Sequence, residues 1–145
     1  MAASLLESLE LEPGLSARAR LVKRALTGSA VAPVTPSRLK WLFQHARALL
    51  FPSLYEGFGL PVLEAFALQC PVVAARIPPV MEIAQSTGAL LLEPDSVPAW
   101  ATAIERVSTQ PPDAAQLAAA QQRAGHFTWE ACAGAVRDAL RAAAT

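Results

Sequence analysis

Ala48-Leu49-Leu50-Phe51-Pro52-Ser53-Leu54-Tyr55-Glu56-Gly57-Phe58-Gly59-Leu60-Pro61-Val62-Leu63-Glu64-Ala65 is the stretch on which the fold turns. Its first four residues are all apolar and are stopped by Pro52. A short run of that kind fits a strand buried on both faces, as in a parallel sheet. Two glycines then flank an aromatic, and a helix is expected from about Leu60 to Gln69. Pro61 falls in its first turn, where a missing N–H leaves no hydrogen bond unmade. Pro71-Val72-Val73-Ala74-Ala75 follows as a second strand. The stretch therefore reads strand, glycine loop, helix, strand.

The pattern continues downstream. Pro78-Pro79 leads a helix through Glu82 to about Gln85, and Gly88-Ala89-Leu90-Leu91-Leu92 is a third strand. Asp95 or Ser96 caps a helix that carries Pro98 in its first turn and runs to about Ser108. Pro111-Pro112 breaks it. A further helix spans about Asp113 to Ala124. Thr128 caps the last one, to about Ala143, with Glu130 near its positive end. Upstream, Ser37 after Pro36 is expected to cap a helix from Arg38 to about Arg47, with Leu39, Leu42, Phe43 and Ala46 on its apolar face. Thr27 to Pro36 reads as a loop with at most a short strand. Leu5, Leu6, Leu9 and Leu11 suggest a short amphipathic helix ended by Pro13-Gly14, and Ser16 to Leu26 a second, basic one. Strands alternating with helices predict an α/β fold, a partial Rossmann-like domain with a short parallel sheet flanked by helices. Residues 1–26 form a separate helical segment ahead of the domain at 27–145. Ligands in such folds bind beyond the carboxyl ends of the strands, where the Glu56–Gly59 loop lies.

Composition removes several classes of function. The 145 residues suffice for one domain with a core. Hydrophobic residues make up 53%, much of it alanine, which supplies helix propensity more than buried area. No apolar run approaches the ~18 residues of a membrane span. Glu7, Glu10 and Glu12 in the first stretch do not suit a secretory signal, so a cytoplasmic location is expected. Twelve basic and twelve acidic residues balance, which argues against a nucleic-acid partner. Arg18, Arg20, Lys23, Arg24, Arg38 and Lys40 nevertheless fall in a stretch without acids. It reads first as a solvated basic helix face and second as an anion-facing patch for peripheral membrane contact. Cys70 and Cys132 lack metal-type spacing, and each is read as a small buried hydrophobe. His45 and His126 stand alone as structural or surface residues, so no metal site is expected.

Chemistry concentrates in the loop. Gly57 and Gly59 admit backbone angles closed to other residues and let a ligand approach the main chain. They precede a helix whose first N–H groups lack partners and favour an anion, above all a phosphate. Phe58 can pack under the loop or against a ligand. Glu56 lies outside the helix and Glu64 about one turn inside it. Ionised carboxylates only accept hydrogen bonds, and their two oxygens can grip adjacent hydroxyls, as on a hexose or a ribose. A phosphate cradle between two such carboxylates suits a sugar nucleotide. The plain alternative has Glu64 as an exposed helix residue and Glu56 as a loop cap.

The string Pro52 to Ala65, followed by Pro71-Val72-Val73-Ala74, Glu82 and the late Phe127-Thr128-Trp129-Glu130, resembles the C-terminal domain of family 4 glycosyltransferases, the group 1 enzymes of GT-B fold. The resemblance runs from about Thr27 to about Leu140. It implies that Glu56 faces the transferred sugar and is the catalytic-site glutamate. It also implies that Glu64 meets the nucleotide ribose, and that Gly57, Phe58, Gly59 and Leu60 place main-chain N–H groups near the sugar and diphosphate. The implied activity is sugar transfer from a nucleotide-sugar donor to an acceptor hydroxyl with retained anomeric configuration. The nucleotide diphosphate sugar is a substrate there, and neither metal nor other cofactor is implied. Glu82 matches a frequent family glutamate and is read, among apolar neighbours, as local structural support. Gln69 stands where the family has glycine, so a longer side chain occupies a left-handed helix end at a cost of about 1 kcal/mol.

The chain also departs from the family. A GT-B enzyme has two Rossmann-like domains around a cleft, and 145 residues do not hold both. The arginine and lysine that grip the diphosphate in the family have no readable match in residues 1–26. The expectation is a truncated or split form lacking the N-terminal domain. Its partners are then a nucleotide-sugar donor and either a separate chain carrying the missing domain or a second copy of itself. The alternative is a non-catalytic module that binds nucleotide sugars or another protein.

Overall fold

The computed structural model describes residues 35–144. The helices expected over Leu5–Leu11 and Ser16–Leu26, the loop through residue 34, the 1–26 segment and the bases Arg18 to Arg24 lie outside the described residues. Arg38 and Lys40 are described, and both are exposed. The elements run α1 (Pro36–His45), β1 (Leu49–Phe51), α2 (Leu60–Ala67), β2 (Val72–Ala75), α3 (Pro78–Ile83), β3 (Leu90–Leu92), α4 (Val97–Thr109), α5 (Ala114–Ala124) and α6 (Trp129–Ala143). The three strands form one parallel sheet in the order β1-β2-β3. Leu49 pairs with Val72, and Val73 with Leu90. The fold is thus α/β with a parallel sheet and helical crossovers, as the alternation predicts. Most expected ends differ from the observed ones by one or two residues, where helices fray and strand pairing stops.

Every residue of β2 is buried, which explains its all-apolar sequence. Val62, Ala65 and Phe66 on α2, Val80 and Ile83 on α3, and Trp100 and Ala103 on α4 complete the core around it. The indole of buried Trp100 donates to the Glu93 carbonyl at 3.2 Å, so its N–H is satisfied. Leu60, Glu64 and Ala67 share the outward face of α2. On α1, Phe43 is buried and Leu39, Leu42 and Ala46 are half-buried, as their spacing predicts.

The caps refine the sequence reading. Thr35, not Ser37, starts α1: its hydroxyl accepts from the Arg38 N–H at 3.3 Å. Pro36 occupies the first helical position, where no N–H is needed, so the cap moves ahead of it. Ser96 holds the N-cap position of α4, without a side-chain bond. Asp113 caps α5 and Thr128 caps α6 through side-chain oxygens. At the end of α2, Gln69 adopts a left-handed conformation with φ of 55°. The Cys70 N–H bonds the Ala65 carbonyl at 2.8 Å and the Gln69 N–H bonds that of Phe66 at 3.1 Å. This is a Schellman closure built without its usual glycine.

The cysteines separate. Cys70 is buried, as expected, but Cys132 is exposed on α6. The correction has a physical cause: α6 buries none of its residues among those described, so no core exists there to enclose a thiol. Burial pushes the Cys70 thiol from its ordinary 9.0 up to about 11, against a weaker opposing pull from the Leu49 main chain. The folded chain then holds this proton where the unfolded chain has lost it, so stability falls as pH rises from about 9 to about 11. Urea melts across that window should lose about 2–3 kcal/mol more in the wild type than in Cys70→Ala. An aromatic disulfide reagent at neutral pH should titrate Cys132 at once and Cys70 only after denaturant is added. Equal reaction rates in the native protein would contradict the burial of Cys70.

Candidate functional site

The loop between β1 and α2 emerges at the carboxyl end of β1. Gly59 makes its turn: it is buried, it serves as the N-cap of α2, and its φ of 99° lies in the left-handed region. A β-carbon there would sit 3.3 Å from Ile83 Cδ1 and 3.6 Å from Val80 Cγ2. The backbone angle therefore favours glycine, and a side chain there would push Ile83 aside by a few tenths of an ångström. Gly57 differs, since a β-carbon would meet nothing within 4 Å.

The turn leaves main-chain donors free. The Val62 N–H bonds the Gly59 carbonyl at 2.9 Å, opening α2. Among the described residues, the N–H groups of Gly57, Phe58, Gly59 and Leu60 donate to nothing. Four consecutive amides without protein acceptors, at the positive end of a helix, form a site for a polar or anionic ligand.

Glu56 is half-buried at the loop entrance. Its Oε1 accepts from Ser53 Oγ at 2.7 Å, and that hydroxyl also lies 3.1 Å from the Tyr55 carbonyl. Ser53 thus fixes the Glu56 carboxylate while leaving most of its acceptor capacity open. Glu64 lies on the exposed face of α2, and its side chain bonds nothing among the described residues. The structure supports the two glutamates differently: Glu56 is held and Glu64 is free. Leu54 and Tyr55 are exposed beside the loop, Tyr55 at 89%.

Phe58 is 44% exposed and packs edge-to-face on Phe127, with centroids 5.8 Å apart. Arg123 lies over the opposite aromatic, 4.8 Å from the Phe127 centroid. Its guanidinium donates to the Glu82 carbonyl at 2.8 Å and to that of Ile83 at 3.3 Å. The chain Arg123–Phe127–Phe58 ties the loop to α3 and to the junction after α5. Sequence patterns single out Phe58 and Phe127 but not their contact, nor Arg123, because the partners are remote. Glu82 is a correction of detail: its side chain is exposed, and its structural support runs through the main-chain carbonyl. Among the described residues no cluster of histidine, cysteine and carboxylate suits a metal ion. No helix among them is long and apolar enough to cross a membrane.

The family described as "Glycosyl transferases group 1" matches residues 31–124, more than half of the chain. The chain belongs to this family. Its parallel three-stranded sheet flanked by helices agrees with the GT-B architecture of group 1 glycosyltransferases. Similar proteins include the O-antigen chain mannosyltransferase RfbU of Salmonella typhimurium, 42% identical over 56% of this chain and 22% of that protein. The D-inositol 3-phosphate glycosyltransferase of Corynebacterium diphtheriae is 38% identical over 70% of this chain and 24% of its own length. The namesake of Corynebacterium urealyticum is 33% identical over 86% of this chain and 28% of its own. The chain spans about a quarter of the length of these relatives.

The two loop glycines of this group 1 chain should respond differently to alanine. Gly59→Ala forces a left-handed alanine against Ile83, and should lower unfolding stability by about 1–3 kcal/mol after the entropy gain of alanine is deducted. Gly57→Ala should stay within about 0.5 kcal/mol of wild type. Urea denaturation of both variants checks this, and equal losses would contradict the turn.

Proposed function

We propose that residues 35–144 bind the sugar nucleotide of a retaining glycosyltransferase. One observation carries the reading: four unpartnered amides, Gly57 to Leu60, sit beside a carboxylate that Ser53 holds in place. The amides suit the diphosphate and the sugar oxygens. Glu56 orients the hexose by accepting from its hydroxyls, and Glu64 accepts from the ribose diol. An acceptor hydroxyl then takes the sugar with retained anomeric configuration. The names of the similar mannosyltransferases and D-inositol 3-phosphate glycosyltransferases agree with sugar transfer. No metal or other cofactor is needed for this binding.

Catalysis asks for more than this loop. A leaving diphosphate is stabilised by preorganised positive charge. Amide dipoles contribute to that, but Glu56 and Glu64 bring negative charge, and Arg123 is engaged by two carbonyls. We therefore place the diphosphate-gripping cations and the acceptor site on polypeptide that faces this unit, in the same protein or a separate chain. On this reading the 145 residues bind the donor and do not transfer the sugar alone, and the binding takes place in the cytoplasm.

Calorimetry with GDP, GDP-mannose, UDP and UDP-glucose tests the binding reading. At least one sugar nucleotide should bind with a Kd of about 1 mM or below. Glu64→Gln should weaken the free nucleotide and the sugar nucleotide alike, by about 10-fold, through loss of charged hydrogen bonds. Glu56→Gln should weaken only the sugar nucleotide. No heat from any of the four at about 100 µM protein and millimolar ligand would overturn the proposal.

A second reading, a module that binds protein, is favoured by α6. Trp129 is 87% exposed, Val136 55% and Leu140 67%, and they fall along one side of the helix. Sedimentation velocity from about 10 to 500 µM should show mass rising with concentration if a second copy covers this face. A monomer throughout would remove self-association.

A further inference from the structure

We infer that a second cleft, at the opposite end of the sheet from the glycine loop, binds a small phosphate monoester. Its floor is made where the strands begin: Cys70 and Val72 lead into β2, and Gly88 and Leu90 into β3. The cleft holds about 250 Å³. That is the room of roughly eight waters at ~30 Å³ each, enough for a phosphate with a short carbon skeleton and too little for a polymer.

Its charges favour an anion. Arg47, just ahead of β1, and Arg106, in the last turns of α4, both line it. Neither guanidinium has an ion pair or hydrogen bond among the described residues. The single acid in the lining, Asp113, is occupied: its Oδ1 accepts from the Ala115 N–H at 2.8 Å and the Gln116 N–H at 3.3 Å. The hydroxyl of buried Thr87 is likewise taken up by the Ala84 carbonyl at 2.8 Å. Two arginines thus line a space whose one acid spends an oxygen on the first amides of α5, which leaves the lining with a positive balance. One phosphate monoester carries close to two negative charges at neutral pH on one centre, which two guanidinium forks can share. Val107, Leu117 and Pro111 give the remaining wall an apolar character, suited to a carbon skeleton rather than to a bare ion.

Gly88 sets the depth. It is left-handed, with φ of 71°, and a β-carbon there would lie 2.6 Å from Gln116 side-chain atoms. The Gln116 side chain therefore rests directly on the strand entrance. This cleft shares no residue with the Glu56 loop, so the two assignments stand or fall separately.

NMR titration of the ¹⁵N-labelled full chain with glycerol 3-phosphate, at constant ionic strength, tests it. Saturable shifts are expected at Gly88, Ala89 and Gln116, with a Kd of about 1 mM, and little change at Gly57 to Leu60. Arg47→Gln with Arg106→Gln should weaken binding at least ~10-fold, and the paired lysine variants should retain part of it. Glu56→Gln with Glu64→Gln should leave it unchanged. The lysine pair keeps the test valid if the glutamine pair misfolds. The inference is overturned by no saturation up to about 20 mM, by equal affinity in the arginine variants, by shifts confined to the glycine loop, or by succinate binding as tightly.

Discussion

The left-handed turn at Gly59 is the constraint from which the candidate site follows. A φ of 99° sends the chain from β1 into α2 within a few residues, and a β-carbon at this angle would be strained and tight against Ile83. The turn has three consequences. It opens α2 through the Val62 to Gly59 hydrogen bond, so that Val62, Ala65 and Phe66 face the core. It leaves the amides of residues 57–60 without protein acceptors. It also carries Phe58 outward to meet Phe127. Packing and ligand recognition therefore rest on one backbone conformation, seated against α3.

The loop is steadied from far along the chain. Arg123 spans from the carbonyls of Glu82 and Ile83 to the ring of Phe127, which in turn buttresses Phe58. A guanidinium used in this way satisfies main-chain carbonyls at the end of α3 and is held in place by them. The candidate site consequently offers amide dipoles and two carboxylates. It suits hydroxyls better than it neutralises a diphosphate. This imbalance is a physical reason for placing the cations of a transferase on a facing unit. It also explains why binding and catalysis separate cleanly in the proposed function.

Local chemistry made much of this legible before any coordinates. Pro71 to Ala75 reads as a buried strand because burial on both faces removes the alternation of polar residues, whereas β1, expected to be buried likewise, is only half-buried at the edge of the sheet. Proline in first turns marked the starts of α2 and α4, and Asp113 and Thr128 marked those of α5 and α6. Ser37 misled because Pro36 itself fits the first helical position and moves the cap back to Thr35. The two glutamates and two glycines were visible as a motif, but not their unequal support. The Ser53 bond to Glu56 is local and could have been anticipated from a hydroxyl three residues before a carboxylate. The Phe58–Phe127–Arg123 chain could not, since nothing in the periodicity of α5 announces a partner on a distant loop. Cys132 illustrates the same limit: an apolar stripe on α6 predicts a buried face only where something exists to bury it.

The helix α2 joins the two ends of the sheet. Its first turn presents the free amides, and its last turn brings Phe66 and the following Cys70 to the second cleft. The strands beside it are three or four residues long, so the two ends lie only ~10–13 Å apart. Coupling between them would have to pass through α2, yet this helix is pinned at both ends. Gly59 lodges against α3, while the Ala67 carbonyl accepts from Gln121 of α5 at 3.1 Å and the Schellman closure fixes Gln69. Its inner face packs on β2, whose four residues are all buried. A close-packed helix held in this way transmits displacement poorly unless its whole seat shifts. The left-handed Gln69 holds an unfavourable backbone angle without a glycine, a cost that the two hydrogen bonds of the closure offset. The end of α2 nearest the second cleft is therefore held by hydrogen bonds, and the end that forms the glycine loop by packing against α3.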